Sequence, residues 1–165
     1  MNYNFKKETE TAILPTRHTP VSAGVDFYAD ELVIIPAGEQ RRVSTGISWK
    51  PGLNTLECFN FPFTAFLALI IQSRSGLVFK YGIESSNAGV IDQDYVSNNE
   101  RKAVINVMLY NHSDMVFIVN PGDKICQGVP QLIPCFDDVE SLDDDRQGKG
   151  FGSSDEKENK CIEED

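Results

Sequence analysis

LVIIPAG (residues 32–38), RRVSTGISW (41–49), FLALIIQS (66–73), AVINVMLYN (103–111) and MVFIVNPG (115–122) decide the class of this chain. Each run is rich in β-branched and aromatic side chains, which suit a pleated, half-buried surface. Each is bounded by Gly, Pro or Asn, which end strands and make turns. No segment keeps a helical period over three turns, although QSRSGLVFKYGI (72–83) has room for a short helix. The pattern predicts an all-β domain of many short strands, a barrel or jelly-roll sandwich. Parallel α/β architectures are disfavoured because the helices that would cover such a sheet are missing.

The chain's 165 residues fit one domain with a sizeable core. Its longest apolar run, Phe66 to Ile71, is far too short to span a bilayer. The N-terminal MNYNFKKETE lacks the apolar core of a signal peptide, so a cytoplasmic or nuclear setting and no membrane partner are expected. Cys58, Cys126, Cys135 and Cys161 make no CxxC pair, and no nearby His completes a metal-ligand spacing. They read as free, mostly buried thiols rather than zinc ligands or disulfides. His18 and His112 read as ordinary surface or loop residues.

Charge divides the chain. The net charge is −10, but residues 137–165 hold twelve acidic and four basic side chains, leaving only −2 for the first 136. Residues 1–136 read as the β-rich core and 137–165 as an arm: acidic, then glycine-rich over 146–154, then a charged tail expected to be disordered. This acidity argues against binding a nucleic-acid backbone. It leaves a nucleotide substrate open, because a divalent cation can screen a triphosphate.

Three short constellations have chemical character. In RQGKGFGSSD (146–155), small residues and backbone amides could wrap phosphate oxygens, with Arg146 and hydroxyls as further donors, although a flexible linker has the same composition. In SRSGL (73–77), Arg74, Ser75 and a free amide at Gly76 could hold an anion, although the segment also reads as a turn. In NAGVIDQDY (87–95), Asp92 follows an expected strand, where it could activate water as a general base while Tyr95 stacks on a sugar. A regular strand would put Asp92 and Asp94 on one face and Tyr95 on the other. A hairpin entrance also accounts for this segment.

Taken together and in order, AGVDFYA (23–29), SRSGL, NAGVIDQDY, GDKICQG (122–128) and RQGKGFGSS (146–154) resemble the five motifs of the trimeric dUTPase family. That resemblance implies a jelly-roll-like fold, a distorted barrel with a flexible C-terminal arm, assembled as a homotrimer with shared active sites. It implies hydrolysis of dUTP to dUMP and pyrophosphate by water attack on the α-phosphorus, with Mg²⁺ as cofactor. This chemistry keeps uracil out of DNA and supplies dUMP for thymidylate synthesis. By the same resemblance, Asp92 orients and deprotonates the water, and Tyr95 packs on the deoxyribose and leaves no room for a 2′-hydroxyl. Arg74, Ser75, Gly76 and Gln127 serve the phosphates, and Asp26 holds the metal's water shell. Backbone groups of the hairpin after Asn87, with Gly89, read uracil. Arg146 binds the γ-phosphate, Phe151 covers the base, and Gly152, Ser153 and Ser154 complete the phosphate contacts from the arm.

The match departs from the family in places. The segment after Tyr95, VSNNERKAV, makes a hairpin about six residues longer than usual by alignment to the family pattern. Gln147 and Lys149 stand where the family has glycine, Cys126 replaces a common alanine, and Asp155 replaces a glycine. A deaminase acting on dCTP is the alternative that keeps the fold. A regulatory protein that binds a partner through the 96–103 tip is the alternative that drops or supplements the reaction.

Overall fold

The computed structural model describes residues 3–51, 65–86, 89–95, 97 and 102–134. Ten strands and one short helix build it. A first sheet runs β1 (Tyr3–Lys7), β4 (Gln40–Pro51), β8 (Val104–Asn111), β6 (Ile83–Ser85). A second runs β2 (Val25–Tyr28), β10 (Lys124–Pro134), β5 (Ala65–Gln72), β7 (Val90–Ile91). The strands β3 (Val33–Ile35) and β9 (Phe117–Val119) form a two-stranded ladder. All pairings are antiparallel. This bears out the all-β class in jelly-roll-like form, without a closed barrel among the described residues.

Each of the five β-rich runs contains a strand. Five further strands, β1, β2, β6, β7 and β10, lie outside them, and of these only β7, ahead of Asp92, was expected. The reason is clearest in β10, KICQGVPQLIP, where Pro130 and Pro134 argue against a strand interior. The register resolves the conflict. β10 pairs with β2 only over Lys124 to Gly128 and with β5 over Gln127 to Pro134, so Pro130 has a single sheet neighbour, Leu69. Its missing N–H costs no ladder bond on the side where β2 has ended.

The core lies between the sheets. β8 alternates strictly, burying Ile105, Val107, Leu109 and Asn111. The three apolar ones pack in one cluster with Phe27 from β2, Ile47 and Trp49 from β4, Leu67 and Leu69 from β5, and Ile125 from β10. Each large apolar side chain buried this way contributes about 1.5–3 kcal/mol. Asn111 is fully buried but satisfied: its amide donates to the carbonyls of Ile35, Pro36 and Met115, and its oxygen accepts from Ser113. It thereby pins β8 to the end of β3 and the turn into β9.

The short helix expected in QSRSGLVFKYGI is α1 (Ser75–Tyr81). It ends at Gly82, whose φ of 65° is a left-handed cap that other residues adopt at a cost. Cys126 is buried as a free thiol, and burial pushes its pKa far up, as expected for a packing residue. His112 is on the surface beside Glu84, at 3.0 Å. Cys58, Cys135, Cys161 and the whole 137–165 arm lie outside the described residues. No helix among those described is long and apolar enough to cross a membrane.

Candidate active site

β5 lies between two groups of candidate residues. At its C-terminal end the chain leaves the sheet at Ser73 and Arg74 and enters α1. Asp26 on β2 and Gln127 on β10 stand directly opposite each other in the ladder, and Gln127 in turn faces Gln72. The pairing draws four motif residues together. The Arg74 Nε donates to Asp26 Oδ1 at 3.1 Å, and Lys124 Nζ donates to Asp26 Oδ2 at 2.8 Å. Arg74 also donates to the Lys124 carbonyl, and Gln127 Nε2 donates to the Ser73 carbonyl, both at 3.3 Å.

Burial alone would raise the pKa of Asp26. The Lys124 hydrogen bond, the charges of Arg74 and Lys124, and the Arg74 hydrogen bond outweigh it and hold the carboxyl below its ordinary value. The same hydrogen bond raises Lys124, against a smaller desolvation effect. The result is an ionised carboxylate between two fixed cations, with the Asp26 side chain only 13% exposed.

Ser75 and Gly76, both exposed, open α1 beside this cluster. Arg74 is the N-cap residue and makes no side-chain cap; its carbonyl takes the Leu77 amide at 3.0 Å, and the Ser75 and Gly76 amides are left as donors for a ligand. A Cβ on Gly76 would meet nothing within 4 Å, so the chain's own packing does not require glycine there. Arg74 and Lys124 also line a cleft of about 550 Å³ with Leu77, Tyr81, Phe117 and Asp123.

The second group lies on the opposite edge of β5, along β7 and the turn after it, from Ile71 back to Leu67. β7 pairs Val90 with Ile70 and Ile91 with Leu69. Just before it, Gly89 lies so close to β5 that a Cβ would come within 2.8 Å of the Ile71 carbonyl, and its own carbonyl accepts from Ile71 N at 2.6 Å. Asp92 follows β7, as expected. The regular alternation expected through Tyr95 does not hold, because β7 stops at Ile91 and residues 92–95 form a turn closed by Tyr95 N donating to the Asp92 carbonyl at 3.1 Å. The Gln93 side chain accepts from Leu67 N at 3.2 Å, and the Tyr95 hydroxyl donates to the Val104 carbonyl at 3.2 Å. The turn is therefore tied to both sheets.

Continuing the β5–β7 register, Asp92 falls level with Ala68 near the middle of β5, while Arg74 lies beyond Gln72. With a rise of ~3.3 Å per residue, the two groups within one chain are on the order of 15–20 Å apart. The cleft beside Arg74 does not include the Asp92 turn. Asn87, Arg146, Phe151, Gly152, Ser153 and Ser154 lie outside the described residues.

Among the described residues, no three His, Cys, Asp or Glu side chains gather as a metal cage. Asp26 is nonetheless ionised, and each of its oxygens keeps acceptor capacity beyond its one cation partner. That fits a water of a hydrated cation better than direct ligation. Sequence reasoning missed Lys124 as part of this cluster, although it stands inside the GDKICQG segment. It also missed Glu8, a buried carboxylate beside the long hairpin.

The dUTPase family model matches residues 10–155. The chain is 40% identical over 161 residues to the deoxyuridine 5′-triphosphate nucleotidohydrolase of rabbitpox virus, covering 93% of this chain and 96% of that protein. It is 36% identical over 152 residues to the protein of the same description from Eremothecium gossypii, covering 88% and 86%. Among solved structures, the dUTPase of Streptococcus mutans superposes with a TM-score of 0.68 at 26% identity, over 83% of this chain and 99% of that one. The dUTPase of phage phi11 of S. aureus superposes at 0.64 with 16% identity, over 88% and 98%, a likeness of fold alone. With its motif residues gathered on the two sides of β5, this chain belongs to the dUTPase family.

Proposed function

We propose that the chain hydrolyses dUTP to dUMP and pyrophosphate, as a dUTP diphosphatase, in active sites shared between copies of itself. The observation that carries this reading is the cluster of Asp26, Arg74 and Lys124 beside the Ser75 and Gly76 amides of α1, set across β5 from Asp92. The cluster supplies cations and amide donors for a polyphosphate. Asp92 supplies a carboxylate able to take a proton from water. At roughly 15–20 Å these cannot act on one phosphorus within a chain, so a neighbouring copy must bring its Asp92 turn to the Arg74 cluster, as a homotrimer would.

In the completed site, Asp92 orients water for attack on the α-phosphorus and accepts its proton. The leaving pyrophosphate is held by Arg74, Ser75, the Gly76 amide and Gln127, with Arg146, Gly152, Ser153 and Ser154 reaching in from the arm. Tyr95 packs on the deoxyribose, the backbone around Asn87 and Gly89 reads uracil, and Phe151 covers it. Closure of residues 146–154 over the nucleotide excludes water.

The phage phi11 dUTPase coordinates a structural Mg(II) ion. Here Asp26 would hold waters of a substrate-bound Mg²⁺, which when bound neutralises charge on the phosphate chain. A cytoplasmic or nuclear location belongs to the same proposal.

The test is pyrophosphate release from dUTP, dTTP and dCTP with Mg²⁺. Release from dUTP alone, without ammonia from dCTP, supports the reading. Ammonia from dCTP would move the chain to the deaminase branch, and binding of dUTP without turnover would move it to a regulatory role.

A further inference from the structure

Among the described residues, Glu8 is the one charged residue that is buried, with its side chain 2% exposed. A carboxylate removed from water costs several kcal/mol unless it is hydrogen-bonded. Glu8 recovers that through an unusual set of partners. Ser48 Oγ on β4 donates to its Oε1 at 2.7 Å, and Ser97 Oγ donates to the same oxygen at 3.1 Å. The exposed Lys6 ammonium lies 3.3 Å from Oε1 and 3.4 Å from Oε2. Burial pushes the acid's pKa up, and the bonds from Ser48, Lys6 and Ser97 more than reverse this, so the group stays ionised.

The backbone of residue 8 is held as well. Its N–H donates to the Gly46 carbonyl at 2.8 Å, and its carbonyl accepts from Lys102 Nζ at 2.7 Å. Residue 8 thus holds both Ser97 and Lys102, on either side of residues 98–101. Ser97 Oγ also accepts from Ala103 N at 2.9 Å, one residue before Val104, the carbonyl that holds the Tyr95 hydroxyl. Val104 itself faces Ser48 across the β4–β8 ladder. The links run without a gap from β1, paired with β4 over five residues, through Glu8 and Ser97 to the carbonyl on which Tyr95 rests.

We infer that Glu8 is a positioning residue for the Asp92–Tyr95 turn: by fixing Ser97 it sets the base of the long hairpin, and so where the Tyr95 ring stands against the sugar. This rests on the proposed packing of Tyr95 on deoxyribose. A tie that merely stabilised the fold would lower the melting temperature without changing which sugar is accepted.

The experiment measures kcat and KM for dUTP and UTP by pyrophosphate release, with Tm, in Glu8→Leu, Glu8→Gln, Ser97→Ala, Ser48→Ala and Tyr95→Ala. Glutamine keeps the Oε1 acceptor for both hydroxyls and loses the charge and the Oε2 acceptor that meet Lys6. Glu8→Leu and Ser97→Ala are each expected to cut the dUTP over UTP preference in kcat/KM by about tenfold, mainly through KM for dUTP. Glu8→Gln should stay within about twofold of the parent, and Glu8→Leu combined with Ser97→Ala should be no worse than either alone. Ser48→Ala should lower Tm and leave the preference intact.

Should Glu8→Leu fail to fold, Ser97→Ala decides. An unchanged preference in Ser97→Ala, with Tyr95→Ala losing it, overturns the role of Glu8 and leaves the sugar reading standing. A preference that survives Tyr95→Ala overturns the sugar reading, and this inference with it.

Discussion

The two sides of β5 solve different problems with different bonds. On the α1 side, charge does the organising: one carboxylate is bracketed by Arg74 and Lys124. On the Asp92 side, neutral bonds organise the turn: Gln93 to the Leu67 amide, Tyr95 to the Val104 carbonyl, and Gly89 pressed against Ile71. The first arrangement is pre-paid in electrostatics and suits an anion. The second leaves the backbone trace to place a base and a ring. Because β5 separates them, the proposed reaction needs a second copy to complete each site.

The largest effect should come from breaking each side in turn. Asp92→Asn should lower kcat by about 10²–10⁴ with little change in Tm, and Arg74→Ala should raise KM for dUTP. Unfolding and refolding the two variants together should then restore activity, since random assortment leaves about a quarter of the composite sites with both groups intact. No recovery in assembled mixtures would mean that both sides act within one chain, and the comparison would fail.

Next in size, Asp26→Asn leaves two adjacent cations without their carboxylate and should cost about 1–3 kcal/mol in urea unfolding. Gly89→Ala must displace β7 from the Ile71 carbonyl and should cost a similar ~1–3 kcal/mol. Its damage should fall on the Asp92 side, lowering kcat more than it raises KM. An alanine enzyme with normal kcat would show that the close approach plays no part in placing Asp92.

The pH dependence of stability is smaller, and its sign comes from the direction of the shifts. Asp26 and Glu8 both have folded pKa values lowered from ordinary values of 3.8 and 4.5. Their contribution is therefore complete above those ordinary values and is lost as pH falls through the lowered folded ones. Urea midpoints followed by the fluorescence of buried Trp49, the sole tryptophan, should be flat above about pH 5 and fall below about pH 4. Asp26→Asn should flatten that fall in part; an identical profile would show that the bracketed carboxylate is not a source of it. Smallest of all, Cys126→Ala should cost about 1 kcal/mol and leave kinetics unchanged, as expected for a thiol that only fills space.

Much of this was legible in the residues. β-branched runs between turn formers pointed to the all-β class, and the stretch around Ser75 announced the one short helix. Asp92 was placed correctly after a strand. The alternation drawn through Tyr95 failed because β7 is only two residues long, and a turn reorients the residues after it. β10 was hidden by Pro130, whose lost donor matters only if both sides are paired, and pairing is a property of the sheet rather than of the segment. Glu8 was invisible for a related reason. A glutamate in a charged N-terminal stretch reads as solvated, and only the return of the chain at Ser48, Ser97 and Lys102 buries it. Local chemistry survives translation from sequence to structure, whereas anything that depends on a second approach of the chain does not.

The bracketing of Asp26 also bears on what the pocket ignores. With its carboxylate counted, the Arg74–Lys124 pair offers the solvent a net single positive charge rather than two. Inorganic phosphate and other small anions, abundant wherever nucleotides are made, therefore find a weak trap. In the proposed shared site, only a ligand long enough to engage the helix amides and a neighbouring copy at once would gain from staying, so selectivity for a polyphosphate over its fragments would be partly a matter of keeping the cations occupied until it arrives.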